Sequence, residues 1–233
     1  MRAVDAGAEA PPTKANLLFR LFFVALCFAL MPASAGAQSM KSALGAALSR
    51  PAPAQAPAAA VRALDFARDP AVTAREREAF VAHIAGQPGG EAMAPAIRSG
   101  KLMGEFDRLL RRYGYSPQNL GDVLAAYLVI CWEIVNEADS NDEPAGQRAV
   151  RRQLAGALAS VPSIAKLSDA QKQAQAERTA YLTMVAGSAY QELKRGGQRE
   201  RIAELQRAVR ADLLKSGVDL RTLDLTSGGL IER

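Results

Sequence analysis

A run of ten apolar and aromatic residues, 123–132 (VLAAYLVICW), limits the folds open to this chain more than any other feature. It is too short for a helix that crosses a bilayer core of about 30 Å, which needs about 20 apolar residues. A helix that is apolar on nearly every side must therefore be enclosed by other parts of the protein. We predict a central buried helix near residues 117–137, with Pro117 in its first turn.

The rest of the chain from residue 71 also repeats its apolar residues at helical spacing. Leu102, Phe106 and Leu110 recur every four residues, as on one face of a helix. Two stretches, Thr73-Ala-Arg-Glu76 and Ser168-Asp-Ala-Gln171, fit the capping-box pattern with which helices begin. Strand-like alternation is nearly absent. The sequence therefore predicts an all-α fold, a single compact domain of about six helices over residues 71–233.

The C-terminal tail lacks a helical repeat but is not polar. It carries Leu220, Leu223 and Leu225 between turn-forming residues. We expect this tail to pack back on the domain as an irregular cap.

The first 70 residues have a different composition from the rest. Residues 1–37 combine a basic start, an apolar stretch at 21–31 and the small residues Ala35-Gly36-Ala37, which together are typical of a secretory signal peptide. Residues 38–70 are rich in Ala and Pro and poor in bulky apolar side chains, so we predict a disordered linker. The mature protein is expected to be periplasmic or secreted, with no membrane span after signal removal.

Charge and cysteine content exclude several classes of function. Without residues 1–37 the chain keeps 26 basic and 22 acidic residues, a net charge of +4. This is far from the dense basic stripe of nucleic-acid-binding proteins, so no nucleic acid is expected as a partner. Cys131 is then the only thiol, which leaves no intramolecular disulfide.

Glu133 is the residue in the central helix that most resembles a working acid. At about 100° per residue it shares one stripe of the helix with Asp122 and Ala126. A carboxyl group in an apolar pocket has its pKa raised and can serve as a general acid. Three interpretations stay open: a carboxylate at the core margin or paired with an arginine, a polar contact at a binding surface, or a catalytic acid. We expect the first.

Other groups give weaker signals. His83 is the only histidine, which excludes zinc motifs with paired histidines, and we expect it at a helix end. The stretch Ser163-Ile-Ala-Lys166 matches S-x-x-K, but the companion motifs of those serine enzymes are missing. The acidic loop 137–143 has Pro144 where a calcium-binding loop requires glycine. Cys131 is expected to be a buried, inert thiol. We therefore predict no catalytic, cofactor-binding or metal-binding residues.

Two arginine pairs are spaced i, i+4 on helices. Arg108 and Arg112 form one pair, and Arg148 and Arg152 form the other. Guanidinium groups at this spacing suit carboxylates and phosphates. They either pair with the acidic loop and other neighbours or bind an anionic partner in the cell envelope or outside the cell.

The segment from about residue 102 to 230 also resembles a known family. It contains NLGDVLAAYLVICWEIVN, AVRRQL, LSDAQKQAQAE and LDLTSGGL in that order. In this it resembles a bacterial family of exported, helical proteins of unknown function. The resemblance implies a helical fold and export, and it supplies no functional residues.

These observations favour a non-catalytic binding or interaction module of the bacterial envelope. One alternative is an envelope or cell-wall hydrolase with Glu133 as general acid. Another is a helical carrier or chaperone for an apolar ligand, because Ala-rich helices can pack loosely enough to leave a pocket.

Export can be tested by mass. We predict that the mature protein begins at Gln38, because Ala35-Gly36-Ala37 fits the cleavage pattern of signal peptidase. The intact mass of the exported protein should match this start, with Ala33-Ser34-Ala35 as the second choice. A membrane-bound species that keeps residues 22–30 would show that the segment is an anchor.

Overall fold

The computed structural model describes residues 35–87 and 89–233, with side chains at Met40 and from residue 42 onward. The predicted signal peptide lies outside the described residues except for residues 35–37, which begin the first helix. Within the described part, no helix combines the length and apolar character that crossing a membrane requires.

The chain is mainly helical, which confirms the all-α class. In chain order the helices are α1 (Ala35–Leu48), α2 (Ala58–Arg62), α3 (Pro70–Ala85), α4 (Gly90–Arg98), α5 (Lys101–Arg112), α6 (Leu120–Asn136), α7 (Pro144–Ala159), α8 (Pro162–Ala165), α9 (Asp169–Arg195) and α10 (Arg199–Leu214). Single turns of 3-10 helix lie at Ser140–Asp142 and Leu220–Thr222. A hairpin of β1 (Leu223–Thr226) and β2 (Gly229–Glu232) ends the chain.

Helix α6 is the predicted central helix and forms the middle of the core. It packs most extensively on α9, and α7 and α10 cover other sides. Its start differs from the prediction, because Asn119 caps the helix by accepting a hydrogen bond from the Asp122 N–H at 3.0 Å. Ser116 and Pro117 form the turn before it. The Ser116 N–H donates to the Asp122 carboxylate at 2.7 Å, which fixes this turn against α6.

The two predicted capping boxes have different outcomes. The one at Ser168 is confirmed, since Ser168 and Gln171 exchange side-chain-to-backbone hydrogen bonds at the start of α9. The one at Thr73 is wrong, because α3 already begins at Pro70 with Asp69 as its cap. Thr73 donates its hydroxyl hydrogen to Glu177 of α9 instead, at 2.7 Å.

The C-terminal tail packs back on the domain as expected, but as a hairpin rather than an irregular cap. Leu225 pairs with Leu230 across the two strands, and both are buried. Gln153 of α7 holds β2, since its side-chain amide accepts from the Leu230 N–H at 3.0 Å and donates to the Leu230 carbonyl at 3.1 Å. Gly229 has a φ of 99°, and a Cβ there would lie 2.1 Å from Gln153 Oε1. The sequence Ser-Gly-Gly therefore allows both the turn and this close approach.

Residues 40–66 differ from the predicted disordered linker. Met40, Leu44 and Leu48 lie on one face of α1 and are buried, mainly against α7. Alanines at the same interface let the two helices approach closely. Leu64 and Phe66, farther along, are also buried in the core. The domain therefore begins well before residue 71. In α1, large apolar side chains at every fourth position, with alanines between them, are enough to form a packed helix face.

Truncating a leucine of α1 should test this packing. We predict that Leu44→Ala destabilises the domain by about 2–5 kcal/mol, as Leu124→Ala in α6 should, because both remove a buried side chain. Ala46→Ser on the exposed side of α1 is the control and should stay within about 0.5 kcal/mol. Urea unfolding of the three variants measures the free energies. An unchanged stability for Leu44→Ala alone would show that α1 does not belong to the folded unit.

Candidate functional site

The polar edge of α6 opens onto a cleft of about 120 Å³. We call it the Glu133 cleft. It lies between the C-terminal end of α5, one side of α6, and the 3-10 turn that leads into α7. Its walls are formed by Leu109, Leu110, Tyr113, Tyr115, Ala126, Val129, Ile130, Glu133, Ser140, Asn141 and Gln147.

Glu133 is half-buried at the side of this cleft. Its Oε1 accepts a hydrogen bond from the Ser140 N–H at 2.9 Å. Burial raises the pKa of the Glu133 carboxyl, and hydrogen bonds from the Ser140 side chain and backbone offset part of this rise. No arginine pairs with it among the described residues, so of the two forms of the expected interpretation the structure shows the carboxylate at the core margin.

Most of the hydrogen-bond donors that line the cleft bond to partners within the protein. The Tyr113 hydroxyl donates to Asn141 Oδ1 at 2.7 Å, and the Tyr115 hydroxyl donates to the Gln147 carbonyl at 2.8 Å. The Gln147 amide donates to Ser140, at 2.9 Å to its carbonyl and at 2.8 Å to its hydroxyl. The polar walls of the cleft are therefore held in place before any ligand arrives.

A second catalytic carboxylate is missing from the walls of the cleft. In the part of the chain that the structure describes, Glu133 is the only acidic residue that lines it. Asp139 lies close enough to raise the pKa of Glu133 by charge repulsion, but its Oδ1 accepts two hydrogen bonds from Asn141. Glycoside hydrolysis in its usual form needs two carboxyl groups flanking the bond to be broken. The described lining residues therefore supply one of the two carboxyl groups that this chemistry uses.

Asp122, which shares a stripe of α6 with Glu133, has a different role. Arg151 of α7 binds its carboxylate with two nitrogens, one of them at 2.7 Å. Burial raises the pKa of Asp122, and the bond from Arg151 opposes that rise. This pair joins α6 to α7. The i, i+4 spacing in the sequence pointed to Arg151's neighbours Arg148 and Arg152 instead. Only the fold shows which of these three arginines faces α6.

The four arginines predicted to bind an anionic partner do not pair with the acidic loop. Arg108 is exposed and lies 3.9 Å from Glu105. Arg112 and Arg148 are exposed and make no hydrogen bond or ion pair with the described residues. Arg152 donates to the Pro53 carbonyl at 2.9 Å and so helps to hold the N-terminal segment.

A network of polar side chains connects the start of α3 with α5 and α9, and the sequence patterns did not predict it. Arg68 makes two hydrogen bonds to Asp107, at 2.6 and 3.0 Å. Gln173, fully buried, donates to Glu177 at 2.9 Å and bonds both backbone groups of Asp69. The gap beside Arg68 and Glu177 has no room for a water molecule. Gln173 and Glu177 lie four residues apart on an otherwise apolar face of α9, and this spacing is the signal by which the sequence could have indicated the network. The network serves the packing of the helices.

The remaining candidates occupy structural positions. Cys131 is buried, and burial raises the pKa of its thiol, so it is a poor nucleophile. His83 lies in the last turn of α3, as expected. Ser163 is exposed in the single turn of α8. Among the described residues, no three acidic, cysteine or histidine side chains come together as metal ligands.

Comparison with known proteins gives one match. A model described as a family of unknown function (DUF6683) matches residues 29–232. This match includes α1 and the C-terminal hairpin, and so covers more of the chain than the resemblance over residues 102–230. No curated protein and no solved structure matches the chain.

The buried carboxyl group should make stability depend on pH. Because its pKa is raised in the folded state, Glu133 favours folding below the ordinary pKa of Glu, about 4.3, and loses this contribution as the pH rises through the folded-state value. We predict that Glu133→Gln melts at a higher temperature than the wild type at pH 8, and that the difference vanishes near pH 3.5. The exposed Glu204→Gln is the control and should show no such trend. A lower melting temperature for Glu133→Gln at pH 8 would contradict the prediction.

Proposed function

The chain belongs to the DUF6683 family, a family of unknown function, and we propose that it acts as a non-catalytic binding module through the Glu133 cleft. The observation that carries this proposal is the half-buried carboxylate of Glu133, which accepts hydrogen bonds from Ser140 and from no other described residue. A carboxylate has about four acceptor positions, so it can still accept from a ligand. Apolar side chains around it supply contact area, as in most ligand sites.

The two alternatives have less support. A hydrolase that uses Glu133 as its acid would need a second catalytic group, and the other ionisable residues that line the cleft are Tyr113 and Tyr115, whose hydroxyls both donate elsewhere. A carrier for a large apolar ligand would need a pocket of about 300–1,000 Å³. A groove of about 1,000 Å³ lies between α1 and α7, but its walls are mostly alanine, serine, glycine and proline. The described residues that line it include no leucine, isoleucine, methionine or aromatic side chain that could enclose such a ligand.

We also propose that the protein works in the periplasm or outside the cell. The basic start, apolar stretch and small residues of positions 1–37 support this location. The mass measurement that locates the mature N-terminus tests it.

The binding role can be tested with a methyl-labelled protein and a set of four-carbon compounds that differ in charge. We predict that at least one compound shifts the methyl signals of Leu109, Val129 and Ile130 in a saturable way. Leu109→Trp should fill the cleft and weaken this binding about tenfold or more, a loss of at least about 1.4 kcal/mol. Leu102→Trp is the matched control, because Leu102 is also a half-buried leucine of α5 but does not line the cleft.

Two results would contradict the proposal. One is that no compound in the set shifts the cleft methyl groups. The other is that Leu109→Trp, with a melting temperature equal to that of Leu102→Trp, binds as well as the wild type.

Exposed arginines offer a second surface, for an anionic partner. Arg112 directly precedes the cleft residue Tyr113, and Arg148 directly follows Gln147. Arg108 lies one turn before Arg112. A tetraglutamate peptide added to the same samples should bind in a salt-dependent way, and reversing the charge of Arg112 and Arg148 should abolish the effect. Unchanged binding of tetraglutamate by that variant would show that these arginines do not bind an anionic partner.

A further inference from the structure

Most groups in the Glu133 cleft that can still form hydrogen bonds are acceptors; the exception is one N–H of the Asn141 side-chain amide, whose nitrogen makes a single hydrogen bond, to Asp139 Oδ1 at 2.7 Å. The hydroxyls of Tyr113 and Tyr115, the amide NH₂ of Gln147 and the N–H of Ser140 all donate to partners in this chain. Gln147 Oε1 accepts no hydrogen bond from the described residues, and the Glu133 carboxylate has acceptor positions left. A ligand that bonds to the Glu133 carboxylate and to Gln147 Oε1 must therefore bring donors.

The charges in and around the cleft also favour a ligand that donates hydrogen bonds. Among the described residues, Glu133 is the only acidic residue in its lining, and no arginine or lysine lines it. Lys194 acts on Glu133 through its charge, and its Nζ lies over the ring of Tyr190 at 5.8 Å from the ring centre. A half-buried carboxylate without a cationic neighbour in contact gains from a positively charged ligand, because charge-assisted hydrogen bonds are about twice as strong as neutral ones.

The size and walls of the cleft limit the rest of the ligand. About 120 Å³ is well below the volume of pockets for drug-sized molecules, and is comparable to the size of one side chain. Leu109, Val129 and Ile130 give the walls an apolar surface. A short alkyl chain can lie against them while its polar end reaches Glu133.

We propose that the Glu133 cleft binds a protonated primary amine on a short alkyl chain, the chemistry of a lysine side chain. The ammonium group donates to the Glu133 carboxylate and to Gln147 Oε1, and the methylene groups contact Val129 and Ile130. This inference rests on the proposed binding function and names the ligand class of the same site.

The test compares three four-carbon compounds of matched size by methyl-shift titration: butylammonium, butan-1-ol and butyrate. We expect butylammonium to bind at least about tenfold more tightly than the other two, because a hydrogen bond between charged groups is stronger than one between neutral groups. Glu133→Gln keeps an oxygen that can accept from the Ser140 N–H and should reduce butylammonium binding to the level of butan-1-ol. Glu204→Gln, the exposed control, should bind butylammonium as the wild type does.

The outcomes separate this inference from the proposed function. If butan-1-ol or butyrate binds in the cleft as well as butylammonium does, the ligand class is wrong while the binding function stands. If none of the three binds, both fail. A fourth probe, lysine with its α-amine acetylated and its carboxylate amidated, identifies the source of the amine. Binding equal to that of butylammonium indicates a lysine side chain of a polypeptide, and much weaker binding indicates a free small amine.

Discussion

Enclosure of helix α6 is the constraint on which the rest of the structure depends. A helix with ten apolar and aromatic residues in a row cannot present a wide face to water, so α7, α9 and α10 must cover it. Each polar residue of α6 then needs a hydrogen-bonding partner of its own. Asp122 is paired with Arg151, and Asn136 donates to the Leu220 carbonyl at 3.0 Å. Around Glu133 the neighbouring elements do not cover α6 completely, and the cleft lies at this point.

Polar contacts between helices define how the covering elements fit together. Gln173 and Glu177 of α9 contact Asp69 and Thr73 at the start of α3, so the register between these two helices is set by hydrogen bonds as well as by packing. Breaking one side of such a network would leave a buried charge or amide without a partner, which costs more than the bonds contribute. The network therefore favours one arrangement of α3 on α9 over shifted alternatives.

Much of the core could be predicted from the sequence, and the reasons for the failures are physical. The position of α6 follows from its apolar run, and the start of α9 follows from Ser168 and Gln171, because both are local signals. The packing of α1 was missed although Met40, Leu44 and Leu48 recur at the four-residue spacing of one helix face, because the Ala- and Pro-rich composition around them is that of a disordered linker. The cleft depends on Tyr113, Asn141 and Gln147 meeting Glu133, and contacts between segments leave little trace in local spacing.

The amide of Gln153 joins both ends of the described chain to one position in α7. It donates to the Arg50 carbonyl at 2.7 Å and bonds both backbone groups of Leu230. The Ala52 N–H, in turn, donates to the Gly228 carbonyl at 2.7 Å, so the N-terminal segment and the hairpin also hold each other. The two ends therefore form one cooperative unit of local unfolding. Loosening the hairpin would therefore remove contacts that hold the N-terminal segment, although the two lie at opposite ends of the sequence.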